Sequence, residues 1–391
     1  MYGKFYESYK QFVEEIQTRK LVFFCAGWRC LEVIHQYYRF PYEEIAFICD
    51  NMPEKWGGSV YNVPVCSPDK LLENPERYVV LIAVNDNFAL KRIMQQLEEM
   101  GVPHYYSAAI LNFANMIERY DTEGRRKYHE FNTFQRIEEN MEKIQRVRGM
   151  LSDRKSVEIY DQYIEKVKYN VRDYSDIADD LYEHYFSDGI FKYGNDEVFV
   201  DGGAFDGDDT IWLASELRRQ GIKLKKSLCF EPDAFNFGKT LCNLEKHYGV
   251  EAKLNTRQDM AESECFSVYR AGLYNENKGI SFCEYGAHSS RFTEEDMGIS
   301  VAAVKLDDVA KGEEITFIKY DLEGADIAAL HGAEETIKRC RPKLALSIYH
   351  EIDDLWDIPL LVKEYVPEYK LFIRHHTVYL WDKVLYAMVE E

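Results

Sequence analysis

A turn rich in glycine and aspartate stands where an apolar strand gives way to a helix. It reads VFVDGGAFDGDDT and occupies residues 198–210. Gly203 and Gly207 can adopt positive φ and let a ligand approach the backbone, while the start of the following helix presents free N–H groups. Asp201 ends the strand, and a carboxylate there suits a cationic ligand group and repels a pyrophosphate. The stretch therefore predicts a binding loop for a ligand that carries positive charge.

The spacing of this loop separates it from the dinucleotide type. Asp201-x-Gly203-x-x-x-Gly207 differs from GxGxxG and fits the acidic-x-Gly loop of S-adenosylmethionine binders. Glu231 ends the next predicted strand, 28 residues after Gly203, where a carboxylate can accept both hydroxyls of a ribose. The alternative is a tight strand–helix turn with solvated carboxylates.

Groups able to handle a proton follow three later strands. Asp321, His350 and the pair His375-His376 come directly after predicted strands, whose ends we expect at the edge of the sheet where ligands bind. A histidine with a pKa near ~6.5 can take the proton of a bound hydroxyl that reacts at this edge. His350, with Asp321 opposite, is the favoured base. The alternative is a histidine that only satisfies structural hydrogen bonds.

Two other interpretations of this edge stay open. Lys319 and Asp321 can form an ion pair that only fixes the turn before a helix. Asp321, His350 and Glu351 can also ligate a divalent cation, which would acidify a bound hydroxyl, although no spacing in the sequence demands it.

Strands and helices alternate in two zones, which predicts two mainly parallel sheets. We expect a first domain at 1–108, a helical connector at 109–195 without a convincing strand, and a second domain at 196–391. The predicted strands are 21–25, 45–49, 78–84, 198–200, 228–230, 266–269, 315–320, 344–349, 371–374 and 384–388. The predicted helices include 29–38, 88–100, 210–220, one capped by Asp233 that ends near Gly249, and one from 325 that ends before Pro342.

The first zone opens with a similar arrangement of strand, turn and acid. Gly27 occupies the position of a phosphate loop, and Asp50 lies 23 residues further on. The other two glycines of a dinucleotide loop are missing, and Trp28 would crowd a pyrophosphate. We expect a degenerate Rossmann-like domain used for dimerisation or acceptor docking, with a true nucleotide site as the alternative.

Composition narrows the class of protein. The 391 residues carry 48 Lys and Arg against 68 Asp and Glu, and a net charge of −20 makes nucleic acid and anionic lipid poor partners. No apolar run reaches the ~18 residues that a transmembrane helix needs, and no signal peptide is apparent. The nine cysteines contain no CxxC pair and read as reduced thiols, so we expect a cytoplasmic protein without a zinc site.

Several motifs together resemble one family. VDGGAFDGDDT, FEPDAFNF, VKLDDV and FIKYDLEGADIAALHGAEETIKRCRPKLALSIYHE are similar, in order and spacing, to the motifs of FkbM S-adenosylmethionine-dependent methyltransferases. The resemblance covers about 150–391. It implies an α/β fold, with a C-terminal doubly wound methyltransferase sheet whose last strand is antiparallel. A smaller N-terminal Rossmann-like domain and the connector complete that expectation.

The resemblance also implies roles for particular residues. The residues that match the KxDxEG stretch of the family are Lys319, Asp321, Glu323 and Gly324. Phe205 departs from the many methyltransferases that have a second loop glycine there. The residues expected to bind the donor are Asp201, Gly203, Ala204, Phe205, Gly207, Thr210, Glu231, Pro232, Ala271 and Gly272. The residues expected to act in catalysis are His350, Asp321 and Lys319.

The sequence thus predicts a methyltransferase that uses S-adenosyl-L-methionine. Its expected acceptor is a hydroxyl of a sugar, a glycan precursor or a related small molecule, as in polysaccharide biosynthesis. Two alternatives are a nucleotide-sugar oxidoreductase that uses the N-terminal domain, and a scaffold that binds the donor without catalysis. A homodimer is left open.

Overall fold

The chain divides into two compact units, each assembled from three separate segments of the sequence. The computed structural model describes residues 11–12, 14–27, 30, 45–84, 86–108, 136–168, 174–187, 189–255, 259–283, 291–292 and 300–390. The first unit comprises Met1–Met141, Glu158–Tyr182 and His375–Asp382, and the second comprises Glu142–Val157, Glu183–Arg374 and Lys383–Glu391. The predicted borders near 108 and 195 stay predictions, and the segment predicted as a connector contributes to both units.

The bounds of the elements follow in chain order. The strands are β1 Lys20–Phe24, β2 Ile45–Cys49, β3 Ser59–Val60, β4 Val63–Cys66, β5 Tyr78–Ile82, β6 Tyr105–Ser107, β7 Glu197–Gly202, β8 Leu224–Phe230, β9 Lys253–Asn255, β10 Met260–Glu262, β11 Phe266–Tyr269, β12 Ala271–Leu273, β13 Lys278–Cys283, β14 Arg291–Phe292, β15 Ser300–Val304, β16 Phe317–Tyr320, β17 Lys343–Ser347, β18 Lys370–His375 and β19 Lys383–Met388. The helices are α1 Asn87–Glu99, α2 Met141–Met150, α3 Arg154–Lys168, α4 Asp208–Arg219, α5 Ala234–Tyr248, α6 Leu306–Val309, α7 Asp326–His331, α8 Glu334–Cys340 and α9 Asp354–Tyr365. Short 3-10 turns lie at Pro53–Lys55, Pro68–Glu73, Pro75–Arg77 and Leu181–Glu183.

The first unit contains a six-stranded sheet in the order β3-β4-β2-β1-β5-β6. β1 pairs in parallel with β2 and β5, β2 with β4, and β5 with β6. Successive residues of β1 enter two different core clusters, Phe23 one and Phe24 the other, so both faces of the strand are buried. That burial explains its uninterrupted apolar sequence. Val378 and Tyr379, far along the chain, belong to the second of these clusters.

The second unit contains a nine-stranded sheet in the order β18-β19-β17-β16-β7-β8-β11-β10-β9. β7 pairs in parallel with β8 on one side and with β16 on the other, and β11 and β17 continue the parallel set outward. β19 runs antiparallel to β17. The predicted α/β class and the antiparallel last strand are confirmed. A separate sheet has the order β12-β15-β13-β14.

The strand order reverses beside β7, and this reversal positions the site. The chain moves from β7 to β8 and β11 on one side, then returns to β16 and β17 on the other. The carboxyl ends of these parallel strands therefore meet on either side of a switch point, where open α/β sheets bind ligands.

Two helix predictions differ in their outcome. Asp233 caps α5 as expected, because its carboxylate accepts from the N–H groups of Phe235 and Asn236, and Gly249 ends α5 with a positive φ. The single helix predicted from 325 is wrong: α7 and α8 are separate, with a break at Gly332. A Cβ at Gly332 would lie 1.9 Å from the carbonyl oxygen of Tyr274, so the chain turns there against another backbone. The predicted helix at 29–38 lies outside the described residues.

Candidate functional site

The loop between β7 and α4 is shaped by residues with positive φ. Gly203 has φ +76° and Gly207 has φ +82°. A Cβ at Gly203 would lie 2.0 Å from the carbonyl oxygen of Asp321, so a side chain cannot be placed there without moving β16 or its following turn. The N–H of Ala204 donates to the carbonyl of Phe230 at 3.0 Å. The loop is therefore packed backbone to backbone between the ends of β8 and β16.

Phe205 takes the conformation that a glycine would adopt freely. Its φ is +49°, which is strained for a residue with a Cβ. Its N–H donates to Oε2 of Glu231 at 2.9 Å, and its carbonyl accepts from the hydroxyl of Thr240 at 2.8 Å. These two bonds hold the loop in shape at the position where the sequence departs from the usual glycine.

Glu231 joins the loop to the next strand. It is buried, and its Oε1 accepts from the N–H of Asp233 at 2.9 Å while Oε2 accepts from Phe205. Burial raises the pKa of Glu231 to about 7, against the lowering effect of these two hydrogen bonds. Its N–H donates to the carbonyl of Tyr269, two residues before Ala271, so the end of β11 lies beside Glu231.

The predicted donor residues thus meet along one edge of the sheet. Ala271 and Gly272 are buried and begin β12, and Pro232 is half-buried directly after Glu231. Because Asp201 and Glu231 are both buried, the alternative of a turn with solvated carboxylates is wrong for these two acids. Whether these residues contact a donor stays a prediction.

Lys319 is a buried cation at the centre of the loop. Its Nζ lies 3.1 Å from Oδ1 of Asp201, 3.0 Å from Oδ2 of Asp209 and 2.9 Å from the carbonyl oxygen of Gly203. These three acceptors match the three donors of an ammonium group. Burial would lower the pKa of Lys319, but the neighbouring carboxylates outweigh it and raise the pKa. Its ion pairs are with Asp201 and Asp209, not the pair with Asp321 that the sequence left open.

Both carboxylate oxygens of Asp201 contact polar groups of the protein itself. It is fully buried, and its second oxygen accepts from the hydroxyl of Thr210 at 2.8 Å. Its negative charge is therefore balanced by Lys319, and its expected service to a cationic ligand group stays a prediction.

A second cluster lies at the ends of β16 and β17. The N–H of Asp321 donates to the carbonyl of Gly202 at 3.0 Å, which places Asp321 beside the donor loop. Oδ1 of Asp321 accepts from the hydroxyl of Tyr349 at 3.1 Å and lies 3.0 Å from Nε2 of His350. On the other side of the ring, Nδ1 of His350 lies 2.9 Å from Oδ2 of Asp326.

These contacts set the charges of the second cluster. Burial would lower the pKa of His350, but Asp326 and Asp321 together raise the pKa well above its ordinary value. Burial would raise the pKa of Asp321, but the hydrogen bond and charge of His350, the charge of Lys319 and the Tyr185 hydroxyl hold the pKa far below its usual range. The predicted pairing of Asp321 with His350 is present in the structure.

The sequence did not single out several residues of this cluster. Asp326 begins α7 five residues after Asp321, and Tyr185 places its ring 4.9 Å from Nζ of Lys319 and its hydroxyl 3.2 Å from that of Ser347. The signal for Asp326 was its helix-start position, which a capping role also explains. Tyr185 lies in the segment EHYF at residues 183–186, which the FkbM resemblance includes without assigning this tyrosine a role.

The other two histidines predicted at the site, His375 and His376, lie in the first unit. His375 is buried with its ring centroid 5.0 Å from that of Tyr174, and Nδ1 of His376 lies 2.9 Å from the carbonyl oxygen of Asp180. Among the described residues no cluster of three or more His, Cys, Asp or Glu is arranged to hold a metal ion. Both ring nitrogens of His350 already face carboxylates, so its geometry is that of an ion pair.

Asp50, the acid that follows β2 in the first sheet, also accepts its hydrogen bonds from groups of the protein itself. Its carboxylate accepts from the N–H groups of Ala26 at 2.7 Å and Met52 at 2.9 Å, and from Nζ of Lys55 at 2.9 Å. Burial would raise the pKa of Asp50, but these donors outweigh it and lower the pKa. Trp28, expected to crowd a pyrophosphate, lies outside the described residues.

Comparisons with known proteins find a family model and a solved structure that this chain resembles. Residues 201–377 match the family model of the methyltransferase FkbM domain. The crystal structure of methyltransferase FkbM from Methylobacillus flagellatus KT is similar with a TM-score of 0.58 and 21% identity, covering 99% of this chain and 99% of that one. Trm1 from Pyrococcus horikoshii with S-adenosyl-L-methionine gives a TM-score of 0.29 and 8% identity over 50% of each chain, which carries no argument. Comparison with curated proteins gave no match.

Residues 201–377 are therefore similar to the methyltransferase FkbM domain, and the chain has the fold of the solved FkbM methyltransferase. That similarity implies the use of S-adenosylmethionine as methyl donor. No helix among the described residues has the length and apolar character needed to cross a bilayer.

Proposed function

We propose that the protein is an S-adenosylmethionine-dependent O-methyltransferase that acts on a hydroxyl of a sugar, a glycan precursor or a related small molecule. One observation carries the proposal. The hydrogen bond from Phe205 to Glu231 fixes the donor loop against the predicted ribose carboxylate, and the backbone of Asp321 packs against Gly203 in the same loop. A donor held by the loop would therefore lie beside Asp321, which follows β16.

The residues present fit this donor. When bound, S-adenosylmethionine supplies an activated methyl group on a sulfonium. Each oxygen of Glu231 accepts one backbone N–H and keeps a further lone pair, so it can also accept from a ribose hydroxyl. Oδ1 of Asp206, in the donor loop, is buried without a hydrogen-bond partner among the described residues, and a donor ammonium would satisfy it.

The second cluster supports an oxygen acceptor. The side chain of Asp321 is 25% exposed, whereas His350 and Asp326 are almost completely buried. A partly exposed carboxylate can orient a hydroxyl by accepting its hydrogen bond and can receive its proton as the oxygen is methylated. The net charge of −20 supports a neutral small-molecule or glycan acceptor over a nucleic acid. The scattered cysteines, which contain no CxxC pair and read as reduced thiols, support a cytoplasmic location.

Calorimetric titration of the full chain tests the donor. We expect S-adenosylmethionine and S-adenosylhomocysteine to bind and NAD not to bind. Glu231→Ala should weaken donor binding by about 1–3 kcal/mol, roughly 5- to 150-fold in Kd, because it removes a charge-assisted acceptor from a buried site.

The matched control is Glu262→Ala. This glutamate is 56% exposed and pairs with Lys226 at 3.6 Å, outside the donor loop, so we expect an unchanged donor Kd. Binding of NAD alone would favour the oxidoreductase instead. Equal Kd values for the two variants would remove Glu231 from the donor site.

A further inference from the structure

His350 is enclosed by two carboxylates from different parts of the sheet edge. Nδ1 lies 2.9 Å from Oδ2 of Asp326, the first residue of α7, and Nε2 lies 3.0 Å from Oδ1 of Asp321, which follows β16. His350 is 7% exposed, and Asp326 is 1% exposed. Asp326 is itself fixed, because it accepts from the N–H groups of Leu322 and Gly324, each at 3.3 Å.

This geometry selects one protonation state of the ring. A neutral imidazole has one N–H and one lone pair, so in either tautomer a lone pair would face a carboxylate oxygen at about hydrogen-bond distance. Only the imidazolium carries an N–H on both ring nitrogens, and its positive charge pairs with both Asp321 and Asp326. Two negative charges at this range outweigh the cost of burying one positive charge, and they raise the pKa of His350.

We infer that Asp326 is a positioning residue that, together with Asp321, holds His350 as an imidazolium, so that Asp321 and not His350 takes the proton of the acceptor hydroxyl. This inference rests on the proposed methyl transfer to oxygen. It changes the role of His350 from base to fixed cation.

The proton balance is consistent with this assignment. The hydroxyl proton passes to the Asp321 carboxylate while the acceptor oxygen gains the methyl group and the carbon–sulfur bond of the donor breaks. An imidazolium has no lone pair to receive that proton. Asp321 is a weak base beside His350, but an oxygen that carries both a methyl group and its proton is a far stronger acid than any carboxylic acid, so the transfer runs downhill. His350 then faces a neutral acid and keeps its own charge through Asp326.

Other polar and charged groups also lie near the His350 ring. The Tyr349 ring centroid lies 4.3 Å from that of His350, and the Tyr349 hydroxyl donates to Asp321. Asp354 begins α9, and its Oδ2 accepts from the N–H of Glu351 at 2.8 Å. Burial, followed by the charge of Asp326, raises the pKa of Asp354 to about 7. Glu351 carries a further negative charge near Asp354. Among these groups Lys319 is the cation that acts on Asp321.

NMR titration of the histidine rings in the full chain tests the inference. Ring-labelled protein would be measured from pH 5.5 to 8.5, with and without S-adenosylmethionine, and His350→Gln would identify the resonance. We expect the His350 ring of the wild type to stay charged across neutral pH. Asp326→Asn should move its titration downward by ~1–3 pH units, and Asp326→Glu should restore part of the shift.

Two further variants separate this role from simple destabilisation. Asp321→Asn should also lower the titration of His350, because it removes the second carboxylate. Asp307→Asn is the matched control: Asp307 likewise accepts backbone N–H groups at a helix start, from Glu335 and Thr336, but does not touch His350. We expect this control to leave the His350 titration unchanged.

The outcomes are distinct for the inference and for the proposed function. A wild-type His350 that titrates near its ordinary pKa of ~6.5 overturns the inference, as does an Asp326→Asn titration equal to that of the wild type. Absence of donor binding by the wild type, with His350 still charged, would instead contradict the proposed function and leave the charged cluster in place.

Discussion

Replacing Lys319 by methionine tests whether the donor loop depends on a buried charge. Methionine keeps an unbranched apolar chain but removes the ammonium that Asp201, Asp209 and the Gly203 carbonyl share. Asp201 is fully buried, so its carboxylate would lose its cation without gaining access to water. Removing one partner of a buried ion pair is costly because the other charge stays desolvated.

The expected cost follows from what each partner can do afterwards. Asp209 is 24% exposed and can turn toward water, so it contributes little. Oδ1 of Asp201 is left as a buried acceptor without that donor, at about 1–3 kcal/mol, and the half-buried carbonyl oxygen of Gly203 loses the same donor at a smaller cost. We therefore expect Lys319→Met to lower the free energy of unfolding of the second unit by about 3–5 kcal/mol, the usual range for a broken buried pair.

Two further variants isolate the buried charge from other effects of the substitution. Lys226→Met removes an ammonium that lies 3.6 Å from Glu262 and 3.5 Å from Glu313, both partly exposed, and should cost less than ~1 kcal/mol. In the double variant Lys319→Met with Asp201→Asn, we expect part of the loss to be recovered. An asparagine there carries no charge and can still accept from Thr210.

The assay should report on the second unit alone, since a chain with two compact units need not unfold in one transition. Urea unfolding followed by hydrogen exchange in peptides from β7 and α4 meets this need. A loss for Lys319→Met below ~1 kcal/mol, or equal to that for Lys226→Met, would refute the reasoning.

Two other predictions concern the donor loop. Gly203→Ala and Gly221→Ala start from the same φ of +76°, but a Cβ meets the Asp321 carbonyl at 2.0 Å only in the first case and nothing within 4 Å in the second. We expect Gly221→Ala to cost ~1–2 kcal/mol in urea unfolding and Gly203→Ala to cost more and abolish donor binding; equal effects would contradict the close approach. Because burial raises the pKa of Glu231 to about 7 from 4.5, its contribution to stability is fully present below pH 4.5 and is lost as the pH rises through about 7. Donor affinity measured by calorimetry should rise as the pH passes through about 7, because the Glu231 carboxylate forms there. Glu231→Gln should remove this rise. If that variant shows a rise of the same size, the pH dependence belongs to another group.

The sequence predicted the elements and the donor loop because both depend on local constraints. A strand buried on two faces is apolar along its length, which located β2 with the observed bounds. A tight turn with positive φ favours glycine, which located Gly203 and Gly207. Glu231 was found because an acid at the end of the second strand follows from the topology of the fold. The break at Gly332 was missed because its cause is the backbone of Tyr274, far away in sequence.

The partners within the site depended on the tertiary structure. Lys319 meets Asp201 across 118 positions of sequence because β16 inserts beside β7, and strand order is not written in the pattern of either strand. The position of His350 after β17 predicted the sheet edge at which it lies. Its charge depends on the carboxylate of Asp326, which lies at the start of α7. Sequence spacing fixes which end of a strand a residue occupies. Which charges face one another at that end, and so which group can accept a proton, follows only from the order in which the strands are assembled.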